Sequence, residues 1–101
     1  MSLSAADKKQ YRAIAHNLKP VVIIGDKGLS EGLLEELNRA LEQHELIKVK
    51  IAIGDRDDRQ LIINELLELT SALEVQSIGK IVVLLRRAKK PNPKLSNLIR
   101  H

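Results

Sequence analysis

Apolar residues recur at helical spacing in three stretches of this 101-residue chain and at strand spacing in four. Ser4-Ala5-Ala6-Asp7 resembles a capping box that opens a helix. Tyr11, Ile14, Ala15 and Leu18 follow on one stripe of that helix, and Pro20 ends it. Lys8, Arg12, His16 and Lys19 form a neighbouring stripe if the helix runs that far. Val21-Val22-Ile23-Ile24 is a β-branched run between Pro20 and Gly25, which predicts a strand covered on both faces. Ser30 suits the N-cap of a second helix with a core face of Leu33, Leu34, Leu37, Ala40 and Leu41. Residues 46–53 alternate. Ile47, Val49, Ile51 and Ile53 point one way, and Lys48 and Lys50 point the other. That pattern predicts a strand with one buried face and one basic face. Leu61, Ile62, Leu66, Leu69 and Leu73, broadened by Ile63 and Leu67, give a third helix face. Residues 74–78 and 81–86 read as two strands turned through Gly79-Lys80.

The predicted order is α-β-α-β-α-β-β: an α/β single domain with a mixed four-stranded sheet. The domain spans residues 1–87. Residues 88–101 form a basic C-terminal tail containing Pro91 and Pro93, in which Leu95, Leu98 and Ile99 are spaced for a short helix.

Composition narrows the function. The apolar fraction is 44%, too high for a disordered chain. Zero cysteines excludes disulfides, thiolate metal sites and a cysteine nucleophile. Tyr11 is the one aromatic residue, which excludes recognition by rows of stacked bases. There is no apolar leader, and the longest apolar run, residues 81–85, is far short of a membrane span. We therefore expect a cytoplasmic protein with no membrane partner.

The net charge of +4 is unevenly spread. Residues 75–101 carry seven bases and no acid, whereas residues 29–45 carry five acids and one base. This polarity fits a polyanion partner on one side, or a solvated surface with a basic tail.

Catalytic signatures are missing. There is no G-x-S-x-G elbow, no Walker loop and no paired histidines at metal-ligand spacing. His44 at a predicted helix C-terminus fits a carbonyl contact or cap better than acid–base work. Asp55, Asp57 and Asp58 lack the spacing of a cation loop and read as helix capping. The expectation is a non-enzyme with no cofactor, no metal and no small-molecule substrate.

Gly25-Asp26-Lys27-Gly28 lies between a strand and a helix. Paired glycines let backbone approach a phosphate, and Lys27 adds a point charge. G-x-x-G alone is more often a structural turn. The bases around it, Lys8, Arg12, Lys19, Lys48 and Lys50, shift the balance toward phosphate contact. Asp26 opposes an anion, so the turn must aim it away from a nucleic-acid strand.

Residues 18–30, Leu-Lys-Pro-Val-Val-Ile-Ile-Gly-Asp-Lys-Gly-Leu-Ser, resemble the opening of a CRM domain, the chloroplast RNA splicing and ribosome maturation module of the YhbY type. His44-Glu45-Leu46-Ile47-Lys48-Val49-Lys50 resembles its central signature. Gln76, Ile78-Gly79-Lys80 and Leu84-Leu85-Arg86 resemble its last two strands. The resemblance covers about residues 3–87. It implies a fold similar to the C-terminal domain of translation initiation factor three. It also implies binding to RNA, for a bacterial member ribosomal RNA in large-subunit precursors, with a role in ribosome assembly. The RNA-contacting residues it implies are Gly25, Asp26, Lys27 and Gly28, and we expect the bases Lys8, Arg12, Lys19, Lys48, Lys50, Lys80 and Arg86 to join them. The family often carries Tyr where this chain has Leu85, so any stacking or hydroxyl contact from that position is lost. A monomer is the favoured state. The competing expectation is a protein-interaction module that reaches ribosomal proteins through its acidic helices.

Overall fold

The computed structural model describes residues 3–98. Its elements are α1 (Ala5–Ala15), β1 (Pro20–Ile24), α2 (Glu31–His44), β2 (Leu46–Ile51), α3 (Arg56–Thr70), β3 (Leu73–Ile78) and β4 (Ile81–Leu85). The predicted order therefore holds. Each helix starts on a side-chain oxygen that accepts from a first-turn N–H, satisfying one of the orphan donors there. Ser4 Oγ accepts from Asp7, Ser30 Oγ from Leu33 and Asp55 Oδ2 from Asp58, at 3.1, 3.2 and 2.9 Å. Of the three aspartates Asp55 is thus the cap, and Asp57 and Asp58 lie in the first turn of α3. Arg59 secures the same connection by donating to the carbonyls of Ile53 and Gly54.

The sheet runs β1-β2-β4-β3. β1 pairs parallel to β2, and the other pairs are antiparallel. α2 and α3 cover one face. Their Leu37, Leu41, Ile63 and Leu66 pack on Val22, Ile24, Ile47, Val49, Ile51, Val82 and Leu84. α1 covers part of the other face, packing Tyr11 and Ala15 on Leu46, Val75, Val83 and Leu85.

Placement of α1 corrects three expectations. The helix ends at Ala15, with His16 as C-cap, so Lys19 lies beyond it in the link to β1. α1 contacts β2 and β3 but leaves the edge strand β1 uncovered on that side. Hence Ile23 is 63% exposed, and β1 is buried on one face only. The basic face of β2 is likewise only half a face. Leu46 is buried beneath α1, Lys48 is half-buried and Lys50 is exposed. In α3 the buried stripe is Ile63, Leu66 and Thr70, flanked by Ile62 and Leu67. Leu61 and Leu69 face out, and Leu73 belongs to β3. The leucine-rich run fits two helical phases, and packing on α2 and the sheet selects one.

A single residue, Glu45, joins α2 to β2. It takes φ 63° and ψ −41°, a positive-φ conformation unusual for a residue with a side chain. Its side chain explains the exception. The carboxylate is buried, at 3% exposure, and accepts from the Ala88 N–H and the Ser96 hydroxyl, both at 2.7 Å. The neighbouring residues hold the same segment. The Leu95 carbonyl accepts from His44 Nδ1 at 2.9 Å, the carbonyl contact expected of that histidine. The Asn97 N–H donates to the His44 carbonyl, and Asn97 Nδ2 donates to the Leu46 carbonyl. Leu98 packs under α1. Residues 88–98 therefore fold back on the domain as bends and turns with no helix. Ile99, the last residue of the expected short helix, and Arg100 lie outside the described residues.

Glu45→Ala leaves the Ala88 N–H and the Ser96 hydroxyl without their acceptor. Urea denaturation should read a loss of about 2–3 kcal/mol, the worth of hydrogen bonds to a buried charge. A loss below about 0.5 kcal/mol, the scale of an ordinary surface change, would show that the segment is not tied to global stability.

Candidate nucleic-acid interface

Residues Gly25 to Gly28 form a tight turn closed by the Gly28 N–H donating to the Gly25 carbonyl at 3.0 Å. Gly28 has φ +72°, a conformation that glycine supplies without strain. Asp26 and Lys27 sit exposed at the tip. Asp26 lines a hollow with Ile53, Asp58, Leu61 and Ile62, on the α3 side of the turn.

Pairing continues past the strands and gathers three features at one end of the sheet. The Ala52 N–H donates to the Ile24 carbonyl at 2.7 Å, joining the base of the glycine turn to the end of β2. The Ile51 N–H donates to the Lys80 carbonyl at 2.6 Å, joining the β3–β4 turn to the same point. Lys50 pairs with Ile23 on one side and Ile81 on the other. Lys48 pairs with Pro20 and Val83, which sets Lys19 close by in sequence. Arg12, on the last turn of α1, lines a groove together with Lys48.

Of the expected site residues, the turn Gly25–Gly28, Lys50 and Lys80 therefore converge, with Arg12, Lys48 and Lys19 flanking them. Lys8 is exposed one helical turn before Arg12, toward the N-terminus of α1. Arg86 has a different use. Its Nη1 donates to Asn38 Oδ1 and the Thr70 carbonyl, both at 2.8 Å, and its Nη2 donates to the Asn38 carbonyl at 3.0 Å. Glu42 lies 3.7 Å from it. The guanidinium ties the middle of α2 and the last residue of α3 to the exit of β4. Arg87 likewise donates to the Tyr11 hydroxyl. In contrast, the charged groups of Arg12, Lys27, Lys48, Lys50 and Lys80 have no hydrogen-bond partner or ion pair among the described residues. That difference between structural and unspent bases cannot be read from sequence spacing. Sequence reading also passed over the groove itself, where Arg12 and Lys48 meet His16, Gln76, Ile78, Ile81 and Val83. The only signal for it was the offset of those residues across strands whose order was unknown.

Among the described residues, no group of three or more His, Asp or Glu side chains is placed to hold a metal ion. Among these residues no helix is long and apolar enough to cross a membrane.

The model of the CRS1 / YhbY (CRM) domain matches residues 3–86. The chain belongs to the CRM domain family. This CRM domain is 50% identical over 100 residues to "Probable RNA-binding protein PA4753" of Pseudomonas aeruginosa, covering 99% of this chain and 96% of that one. It is 48% identical over 89 residues to a protein of Haemophilus influenzae named "RNA-binding protein", covering 88% and 90%. The solution structure of SAV1595 from Staphylococcus aureus, described as an RNA-binding candidate, superposes with a TM-score of 0.76 at 33% identity. The match covers 92% of this chain and 96% of that one. The four-stranded mixed sheet flanked by three helices is thus the fold the resemblance implied. Leu85, at the position where the family often has Tyr, is buried beneath α1 beside Tyr11. It packs the core.

Arg86→Ala should cost about 2–3 kcal/mol in denaturant unfolding, because it leaves a buried-end carbonyl and an amide without their charged donor. Lys27→Ala and Lys50→Ala should stay within about 0.5 kcal/mol of the parent, as exposed changes do. Equal stability for all three variants would refute the division into structural and unspent bases.

Proposed function

We propose that this CRM domain binds RNA through the end of the sheet where the glycine turn, Lys50 and Lys80 meet, flanked by Arg12 and Lys48. The observation that carries this reading is the set of cations gathered there with no hydrogen-bond or ion-pair partner among the described residues. Such an array holds phosphates and positions a strand. It reads little sequence, because phosphate contacts are the same for every base. The names carried by relatives in Pseudomonas and Haemophilus support the same class of ligand. The RNA we assign is ribosomal RNA in precursors of the large subunit, where the protein acts as an assembly factor in the cytoplasm and performs no chemistry of its own.

A second reading rests on α3. Leu61 and Leu69 are 66% and 51% exposed on the same helix as Glu65 and Glu68, a surface suited to a basic protein. In this reading the chain docks on ribosomal proteins. Nuclease treatment separates the two: loss of large-subunit co-sedimentation after RNA digestion supports direct RNA contact, and survival of the complex supports protein docking.

Binding to single-stranded RNA measured across salt should give a log–log slope of about −2 for three phosphate contacts. Lys50→Ala should reduce that slope by about 0.7 and weaken all sequences alike. An affinity indifferent to salt would refute phosphate clamping.

A further inference from the structure

The face that carries the unspent bases is not uniformly charged. Registers across all four strands place Ile23 beside Lys50, Lys50 beside Ile81, and Ile81 beside Ile78. This row crosses the whole sheet at the end nearest the glycine turn. Two of its isoleucines are largely in water, with Ile78 at 66% exposure. Water contact of this kind is costly for a β-branched side chain, and most of the sheet avoids it. The next row toward α1 contains Lys48, Val83 and Gln76. Between that row and the end of α1 lies a groove of about 230 Å³. Its floor is Val83, Ile81 and Ile78. Its walls are Arg12, His16 and Lys48 on one side and Gln76 on the other.

Three properties of this groove converge. No carboxylate lines it. Its cations make no ion pair or side-chain hydrogen bond among the described residues. The Gln76 amide, with both donor and acceptor capacity, is half-buried and also has no hydrogen-bond partner among the described residues. An aliphatic floor beside cations and an open amide matches a ligand with an apolar plane, a polar edge and a negative charge.

We propose that this groove holds one unpaired nucleotide of the bound RNA. The inference rests on the RNA-binding reading and extends it from phosphates to a base. The base lies on Ile78 and Ile81, where it displaces water from aliphatic surface. Its edge meets the Gln76 amide, and Arg12 and Lys48 take the adjoining phosphate. Aliphatic contact here replaces the aromatic stacking that the composition forbids. A base already paired in a duplex cannot lie flat on this floor, so the groove favours single-stranded segments.

The test compares a short single-stranded RNA, the same strand made abasic, and the corresponding duplex, by fluorescence anisotropy with the full chain. Ile78→Ala changes an exposed side chain and leaves the core intact. It should weaken single-strand binding about fivefold, the order expected from losing one or two methylene contacts. It should leave duplex and abasic binding unchanged. Gln76→Ala should alter the ranking of single strands of different base. Equal losses for Ile78→Ala on all three probes, or no loss on any, overturn the groove. If Lys48→Ala still weakens every probe in that case, the phosphate-binding face survives and only the groove falls. If Lys48→Ala is also without effect, the RNA-binding face falls with it.

Discussion

The turn from α2 into β2 is made by one residue, and much of the remaining architecture depends on it. A one-residue reversal forces Glu45 to positive φ, at a cost of order 1–3 kcal/mol for a side chain other than glycine. The carboxylate offsets that cost by receiving the Ala88 N–H and the Ser96 hydroxyl in a buried setting. The Glu45 carbonyl accepts from the Arg86 N–H, so the same residue also fixes the exit of β4. Arg86 then ties α2 and α3 to that exit. The segment that resembles the family's central signature, His44-Glu45-Leu46, is thus a tether. Lys48 and Lys50, two and four residues further on, are the part of that segment on which the proposed interface draws.

Local rules made much of this fold legible. Ser4, Ser30 and Asp55 announced their helices because capping is a contact between residues three apart. Alternation along β2 announced a strand because its period follows from the pleat. Failures came where burial is decided by partners remote in sequence. β1 looked covered on both faces, but α1 crosses β2 and β3 and leaves Ile23 in water. The α3 leucines fit two phases equally well, and only α2 and the sheet distinguish them. The acidic side chain of Glu45 gave no hint of burial, because its partners lie more than forty residues away.

The candidate interface divides in the same way. The glycine turn and the β2 lysines stand out as residue types in a pattern. Arg86 looked equivalent to Lys50, yet one guanidinium is held by α2 and α3 and the other cation faces water. Charge reports that a base exists, whereas tertiary structure decides whether its donors are already committed. The groove beside α1 was illegible for a further reason. It is assembled from α1, β2, β3 and β4, and only the inserted position of β4 brings those residues side by side.

That inserted position has a consequence for how the chain folds. β4 lies between β2 and β3, although it follows both in sequence. Until residues 81–85 have been synthesised, β3 has no neighbour in the sheet and β2 has only β1. Both hydrophobic clusters also include β4 side chains, Val82 and Leu84 in one, Val83 and Leu85 in the other. Neither layer can close early. The nascent chain must carry three helices and three strands without a finished core, and then complete both layers when one five-residue strand slides into the gap.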